Sequence, residues 1–447
     1  MYEKKSRTLL IVLAAVTAVL GVLTAGMLLT LRKLEADIAL RSPMPEAPQR
    51  TDVLTNPAVS TVTLSATGDI LLAEPILDYC RMEDESYNFS HIFRYLAPYS
   101  RAAGISTINL VTTLGGPKTE GYTGLPKYNS PDSIVKALAD AGFDAVLTAN
   151  SHCYEDGLAG VKRTAETLRK SYLFPIGTTH DKDKPTWKIL ESGGINVGLM
   201  CYTFETDDSY PAMPSINGHL FDRESITHVD TFSYDDLDSF LIEAEERLAL
   251  MKQAGAEVCV IFMHWGDEFS LDPTETQKWL SQRLCNMGFD VILGTHPHVI
   301  QSIHELTAED NPNHHAIVCY SLGNAVSNQR QGYGKPLTTA HTEDGMLLNL
   351  TFAKYADGSV YTESVSALPY WVNMRSESEP ATYTIVPLDS ANRANWAADF
   401  GLSKDSLRQA ESSYERTMAI LNPAISTINT RLQNAAHSRA YTSPLGE

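Results

Sequence analysis

Apolar residues along the chain follow two periods that take turns. Short runs rich in β-branched residues, bounded by Gly, Asp or Asn, predict strands. They are the alternating TVTLSATGDILL from Thr61, then Ile105–Val111, Asp144–Asn150, Val197–Tyr202, Val258–Met263, Asp290–Leu293 and Ala316–Tyr320. Between them, apolar positions three and four apart predict helices over Ser130–Ala141, Leu158–Leu168, Asp235–Ala254 and Thr274–Met287. Gly142 supplies a stop signal for the first of these. Repeated alternation of strand and helix predicts an α/β layered fold. From about Phe352 the pattern turns β-like as far as Leu368–Val372, and Ser403–Leu432 reads as a helix without site chemistry, an appendage or packing helix.

Two stretches stand outside this alternation. Thr8–Leu31 carries no charged residue and is long enough to span a bilayer with some tilt. It is long for a cleaved signal peptide, and no A-x-A site closes it. Lys4, Lys5 and Arg7 precede it, while Arg32 and Lys33 are soon offset by Glu35 and Asp37, a slight bias toward a short cytoplasmic tail. Pro43, Pro45, Pro48 and Pro57 mark the following stretch as a tether. The sequence therefore predicts a cytoplasmic tail (1–7), a transmembrane anchor (8–31), a tether (32–60), a folded domain (61–372) and a mostly helical extension (373–447). On this reading the protein is a single-pass protein of the cell membrane with its main domain extracytoplasmic.

Composition narrows the partners. Lys and Arg number 35 against 54 Asp and Glu, a formal charge of −19, which argues against nucleic acid. The six cysteines show no C-x-x-C pair or regular spacing and read as mostly unpaired.

The candidate chemistry sits where predicted strands end. Gly68-Asp69, Asn109 with its loop, Asn150-Ser151-His152, His264-Trp265-Gly266-Asp267-Glu268 and His296-Pro297-His298 each follow an apolar run. Open α/β sheets place ligands at the carboxyl ends of their strands. Pro297 restricts its own φ and biases His296 away from the helical region, so an extended His-x-His fork is expected, with both imidazoles on one side. Imidazole, carboxylate and amide oxygens together suit Zn, Mn or Fe. His152 can serve as a proton donor in such a site rather than as a ligand.

These motifs carry a resemblance. ATGDILL, NLVTTLGG, TANSHCYEDGLAGVKRT, MHWGDEF, ILGTHPHVIQ and YSLGNAVSNQ occur in the order found in CapA-type capsule-synthesis (poly-γ-glutamate) proteins, over roughly Thr61–Val372. The resemblance implies a metallophosphatase-like β-sandwich flanked by helices, in a membrane-anchored protein of capsule production. It also implies Asp69, Asn150, His264, His296 and His298 as metal ligands, His152 and Glu268 in catalytic roles, and a structural role for Asn324 in the YSLGN turn.

Three positions depart from the pattern. Leu71 stands where related phosphoesterases carry a histidine, Val111 replaces the acid of the usual NLE, and Glu155 takes the acid position of NNH-x-x-D. Without the bridging acid a second metal is not enforced; a site for one divalent cation (Zn, Mn or Fe) and a metal-free pocket both stay open, with Asp267, Glu268 or Glu155 able to supply a replacement oxygen. Val111 is expected to face the pocket. The implied partners are an anionic capsule polymer or envelope substrate, and a membrane biosynthesis complex. Three functions remain open: capsule-polymer synthesis, export or attachment; a metal-dependent phosphoesterase or envelope hydrolase; and a non-catalytic binding module on the same fold.

Overall fold

A computed structural model of the chain describes residues 16–18, 20–32, 53–117, 121–206, 214–221, 224–332, 339–376 and 380–442. The chain divides into two units, Met1–Val53 with Thr442–Glu447, and Leu54–Tyr441. In the first, residues 16–18 and 20–32 are helical, and residues 8–15 and 19 of the expected anchor lie outside the described residues. No helix among the described residues is long and apolar enough to cross a membrane.

The second unit is built from two sheets that share one apolar core. One holds, in order, Thr382–Pro387, Val360–Arg375, Asp344–Tyr355, Ala58–Ile70, Ile105–Leu110, Ala145–Leu147 and Phe174–Ile176, with Asn324–Val326 beside Ala58–Ile70. The other runs Thr231–Phe232, Ile195–Phe204, Val258–His264, Val291–Thr295, His315–Cys319 and Ile303–Thr307, with Lys188–Ser192 on Ile195–Phe204. From Ala58–Ile70 to Phe174–Ile176 the first sheet is parallel, as is the second from Thr231–Phe232 to His315–Cys319. Parallel neighbours carry their carboxyl ends to one edge, and that edge holds the site.

Strand alternation sorts the layers. In Val258–His264, the side chains of Val258, Val260 and Phe262 enter the core between the sheets, whereas Cys259, Ile261 and Met263 lie under Phe240, Ala244, Leu248 and Met251 of the Leu237–Gln253 helix. A parallel strand is buried on both faces, hence the near-continuous apolar runs in the sequence. Each large apolar side chain so buried contributes about 1.5–3 kcal/mol. The helices are bounded as local rules require. Thr274 and Gln277 form a capping box at the start of Glu275–Met287, and Gly288 ends that helix in the left-handed region, as Gly142 ends Ser133–Ala141. All six cysteines are buried and unpaired.

Two expectations are revised. The Asp144–Asn150 strand is only Ala145–Leu147, because the chain leaves the sheet early and spends Asn150 on the site. The C-terminal segment is part of the fold rather than an appendage. Thr382–Pro387 continues the first sheet beyond Val372, and the unit extends to Tyr441. The helix runs Lys404–Ala440 and places Leu421, Ile425, Ile428 and Leu432 in the core between the sheets.

That helix is also clamped electrostatically. Arg416 meets Asp344 with two bonds, Nε to Oδ2 at 2.9 Å and Nη2 to Oδ1 at 2.6 Å, and Asp344 is 1% exposed. Burial raises the Asp344 pKa, and Arg416 opposes that rise. Arg416→Met strands the carboxylate and is expected to cost about 2–3 kcal/mol at pH 7.5, less than for a fully buried pair because Arg416 keeps some contact with water. The variant's Asp344 then has a folded pKa further above its unfolded value. Its deficit therefore shrinks as pH falls and the carboxyl takes up a proton. Urea denaturation at two pH values measures both effects; a deficit that does not change with pH contradicts the assignment.

Candidate metal centre

The site begins with a close backbone approach. A Cβ at Gly68 would lie 1.8 Å from the carbonyl oxygen of Gly323, so only glycine admits the Ser321–Gly323 turn against this strand. The same carbonyl accepts the N–H of Asp69 at 3.0 Å. The turn thus fixes Asp69 at the end of its strand, with no exposed surface. Its Oδ1 accepts from Asn109 Nδ2 (2.7 Å), and its Oδ2 accepts the backbone N–H of His296 (3.1 Å) and lies 3.0 Å from His298 Nδ1. Three strand ends, two from one sheet and one from the other, meet on this carboxylate.

The His-x-His segment departs from its expected extended form. His296 has φ +95° and His298 φ +58°. Neither is glycine, and such conformations cost on the order of 1–3 kcal/mol each unless their surroundings enforce them. Asp69 holds the N–H of His296, and Phe269 N–H donates to Pro297 O at 2.8 Å. The imidazoles still share a pocket, with ring centres 5.8 Å apart.

The remaining candidates join through one network. Asn109 Oδ1 accepts from Asn150 Nδ2 (3.2 Å), which also donates to Leu110 O (2.8 Å). His264 lies with Nδ1 2.9 Å from Thr295 Oγ1 and Nε2 3.2 Å from Ser151 Oγ, its ring parallel to Phe204 and 4.8 Å from His296. His152 bonds Glu155 through Nδ1 (2.5 Å) and packs against the ring of Tyr128. His298 Nδ1 also reaches Asn324 Oδ1 at 3.2 Å, so the YSLGN asparagine touches the site as well as shaping its turn.

Burial and neighbouring charges set the proton affinities of the imidazoles. It pushes the pKa of His264 far below the ordinary value and that of His296 down to about 3, with neighbouring histidines adding to both effects. Both rings are neutral, as metal ligands must be. For His298 burial also lowers the pKa, but the hydrogen bond and charge of Asp69 outweigh it and the net shift is upward. Ligand atoms of Glu268, His296 and His298 lie within 4.8 Å of one another. His296 Nδ1 is buried without a hydrogen-bond partner, and His298 Nε2 is 4.0 Å from Glu268 Oε1. An orphaned imidazole nitrogen, a second imidazole oriented by a carboxylate and a half-exposed glutamate fit one divalent cation. Asp69 and Asn150 spend most of their hydrogen-bonding capacity on protein partners, His264 has its two ring nitrogens on Thr295 and Ser151, and Glu268, read from sequence as catalytic or as a replacement ligand, lies by position in the candidate cation-binding group.

Val111 is fully buried, clustered with Leu71 and Tyr128 rather than turned to open space. Tyr128 in turn touches His152, so hydrocarbon lies beside the site where two further ligands were missing from the sequence. Leu71 and Val111 offer no donor for a second cation. Sequence reasoning missed Phe204 and Thr295; both stand at strand ends, the signal that located the others.

The family model described as "Bacterial capsule synthesis protein PGA_cap" matches residues 63–329, which include every site residue named above. The chain belongs to this family. Similar proteins are the capsule biosynthesis protein CapA of Bacillus anthracis, 25% identical over 272 residues (60% of this chain, 60% of that protein), and the PGA biosynthesis protein CapA of Bacillus subtilis strain 168, 24% identical over 273 residues (60% and 64%). The match thus spans less than two thirds of either relative's length. A solved structure, the sulfate thiohydrolase SoxB of Thermus thermophilus with glycerol bound, aligns at a TM-score of 0.36 and 13% identity, covering 74% of this chain and 47% of that one.

Chain purified without chelator or affinity metal is expected to carry one divalent cation, and His296→Ala/His298→Ala to carry none; elemental analysis decides. Asp69→Asn is expected to weaken cation binding about 10–100-fold by releasing His298. Because the His298 pKa is raised, protons compete with the cation, so affinity falls from pH 8 to pH 6. Equal metal content in wild type and double variant contradicts the assignment.

Proposed function

We propose that this protein acts in the synthesis, export or attachment of an anionic capsule polymer of the poly-γ-glutamate kind. In this reading it works at the outer face of the cell membrane, anchored through Thr8–Leu31 and joined to a membrane biosynthesis complex, with its folded domain on the metallophosphatase-like plan. Family membership supports the process, and the Glu268–His296–His298 cluster carries the reading of the site. A protein with a formal charge of −19 repels a polyanion over most of its surface. A single cation at these residues gives it a local point of attraction for a carboxylate or phosphate group.

The chain's own residues have distinct tasks. Glu268, His296 and His298 would hold the cation, with Asp69 orienting His298. When bound, the cation supplies positive charge to an anionic or carbonyl oxygen of the substrate. His152 stands beside this cluster with its Nδ1 on Glu155, which leaves Nε2 to give or take a proton. That arrangement favours a second reading, a metal-dependent hydrolase of an envelope phosphoester or amide. The apolar cluster of Leu71, Val111 and Tyr128 weighs against a two-metal version.

The test is replacement of the chromosomal gene by variants in the native host, with cell-bound polymer quantified. His296→Ala/His298→Ala is expected to reduce polymer at least tenfold with the protein still present in the membrane fraction. Wild-type polymer levels in that strain would remove the site from the function. Mn- or Zn-dependent turnover of a phosphoester or γ-glutamyl amide by purified wild type, absent in the double variant, would establish the hydrolase reading.

A further inference from the structure

A short hairpin reaches the site from the connection that follows Ile195–Phe204. Ser215–Ile216 pairs antiparallel with His219–Leu220, and the two-residue turn between them has left-handed Asn217 (φ +49°) and Gly218 (φ +77°). Asn-Gly is the pair that such turns favour. The underside is apolar, with Ile216 and Phe221 buried against Cys153, Tyr154, Val161 and Val229. The tip is polar and faces the paired Glu155 and His152. Asn217 Nδ2 lies 3.0 Å from Glu155 Oε1 and 3.3 Å from His152 Nδ1, and His219 Nε2 lies 3.3 Å from Glu155 Oε2.

Glu155 has only 2% of its side chain exposed. A carboxylate removed from water needs donors for its lone pairs, and leaving them unmet costs more than a hydrogen bond contributes when made. His152 Nδ1 supplies one, at 2.5 Å, while the hairpin tip supplies the amide of Asn217 and brings the imidazole of His219 within ion-pair distance. A carboxylate on Nδ1 also selects the tautomer of an imidazole: with Nδ1 protonated, the lone pair sits on Nε2. The ring of His152 is held in addition by the edge of Tyr128, 4.7 Å away, and its backbone N–H donates to Asn150 Oδ1 at 3.2 Å.

We propose that Asn217 and His219 are positioning residues: the hairpin tip holds Glu155 and the Nδ1 edge of His152 together, and so sets the tautomer and orientation of that ring. This rests on the reading of His152 as the group that moves a proton. The lock joins the two halves of the site. His152 and Glu155 follow a strand of one sheet, whereas the hairpin follows a strand of the other, the one ending in Phe204, whose ring packs on His264 and His296. A hairpin that merely fills space would leave the tautomer of His152 indifferent to its tip.

The test uses the full chain labelled with 15N-histidine, the His152 ring signals being assigned by their loss in His152→Gln. In wild type the ring is expected as a single Nδ1–H tautomer. Asn217→Ala/His219→Ala is expected to raise the Nε2–H population several-fold while the ring signals of His264 and His296 stay in place. His219→Gln with Asn217 intact retains a donor and is expected to keep the wild-type pattern, and it provides the comparison if the double variant folds poorly. An unchanged His152 ring in a folded double variant overturns the proposal, as does an Nε2–H tautomer in wild type. Polymer yield separates the two readings. Full yield from a His152→Gln strain removes the proton-transfer role of His152, whereas the ring signals alone decide the positioning.

Discussion

A carboxylate with no exposed surface must be met by donors, and the way Asp69 is met holds the site together. One oxygen faces the amide of Asn109 on the neighbouring strand; the other faces the backbone of His296 and the ring of His298, which come from the second sheet. Two sheets that share a hydrophobic core are free to slide by small amounts, because apolar contact is non-directional. Hydrogen bonds to a buried charge are directional and, at about 1.5–3 kcal/mol each, strong enough to fix the offset. The relative placement of the imidazoles follows from that offset.

The same carboxylate explains how a strained segment persists. His296 and His298 both take left-handed backbone conformations, and the network repays part of that strain through bonds formed only in this geometry. The result is a pocket in which burial keeps His264 and His296 neutral, beside His298, whose ring Asp69 orients through Nδ1. Such a set is prepared for a cation and poorly satisfied without one, as the orphaned Nδ1 of His296 indicates.

Much of this was legible from residue order, for identifiable reasons. Apolar runs broken by Gly-Asp, Asn-x-His and His-x-His gave both the parallel strands and the edge where they end, since strand ends of an α/β fold are where polar residues interrupt burial. The extended fork was misjudged because the restriction imposed by Pro297 is local, while the contacts that turn His296 come from Asp69, which is 227 positions away. The C-terminal helix was undervalued because its apolar positions (Leu421, Ile425, Ile428 and Leu432) carry no mark of what they pack on. Motif position offers Glu268 as a catalytic residue or as a replacement metal oxygen, and only spatial arrangement sets it beside His296 and His298. The hairpin contacts were invisible for the same reason, although Asn217-Gly218 announced the turn.

Binding of one divalent cation by Glu268, His296 and His298 together is the property on which the chemistry of the site turns. It is tested most directly by anomalous diffraction from crystals of the full chain grown with Mn or Zn, with data collected on either side of the metal edge. A single strong peak bounded by those three side chains is the expected result. Two adjacent peaks reaching toward Leu71 and Val111, or no peak at the site in cation-saturated crystals, would contradict the account.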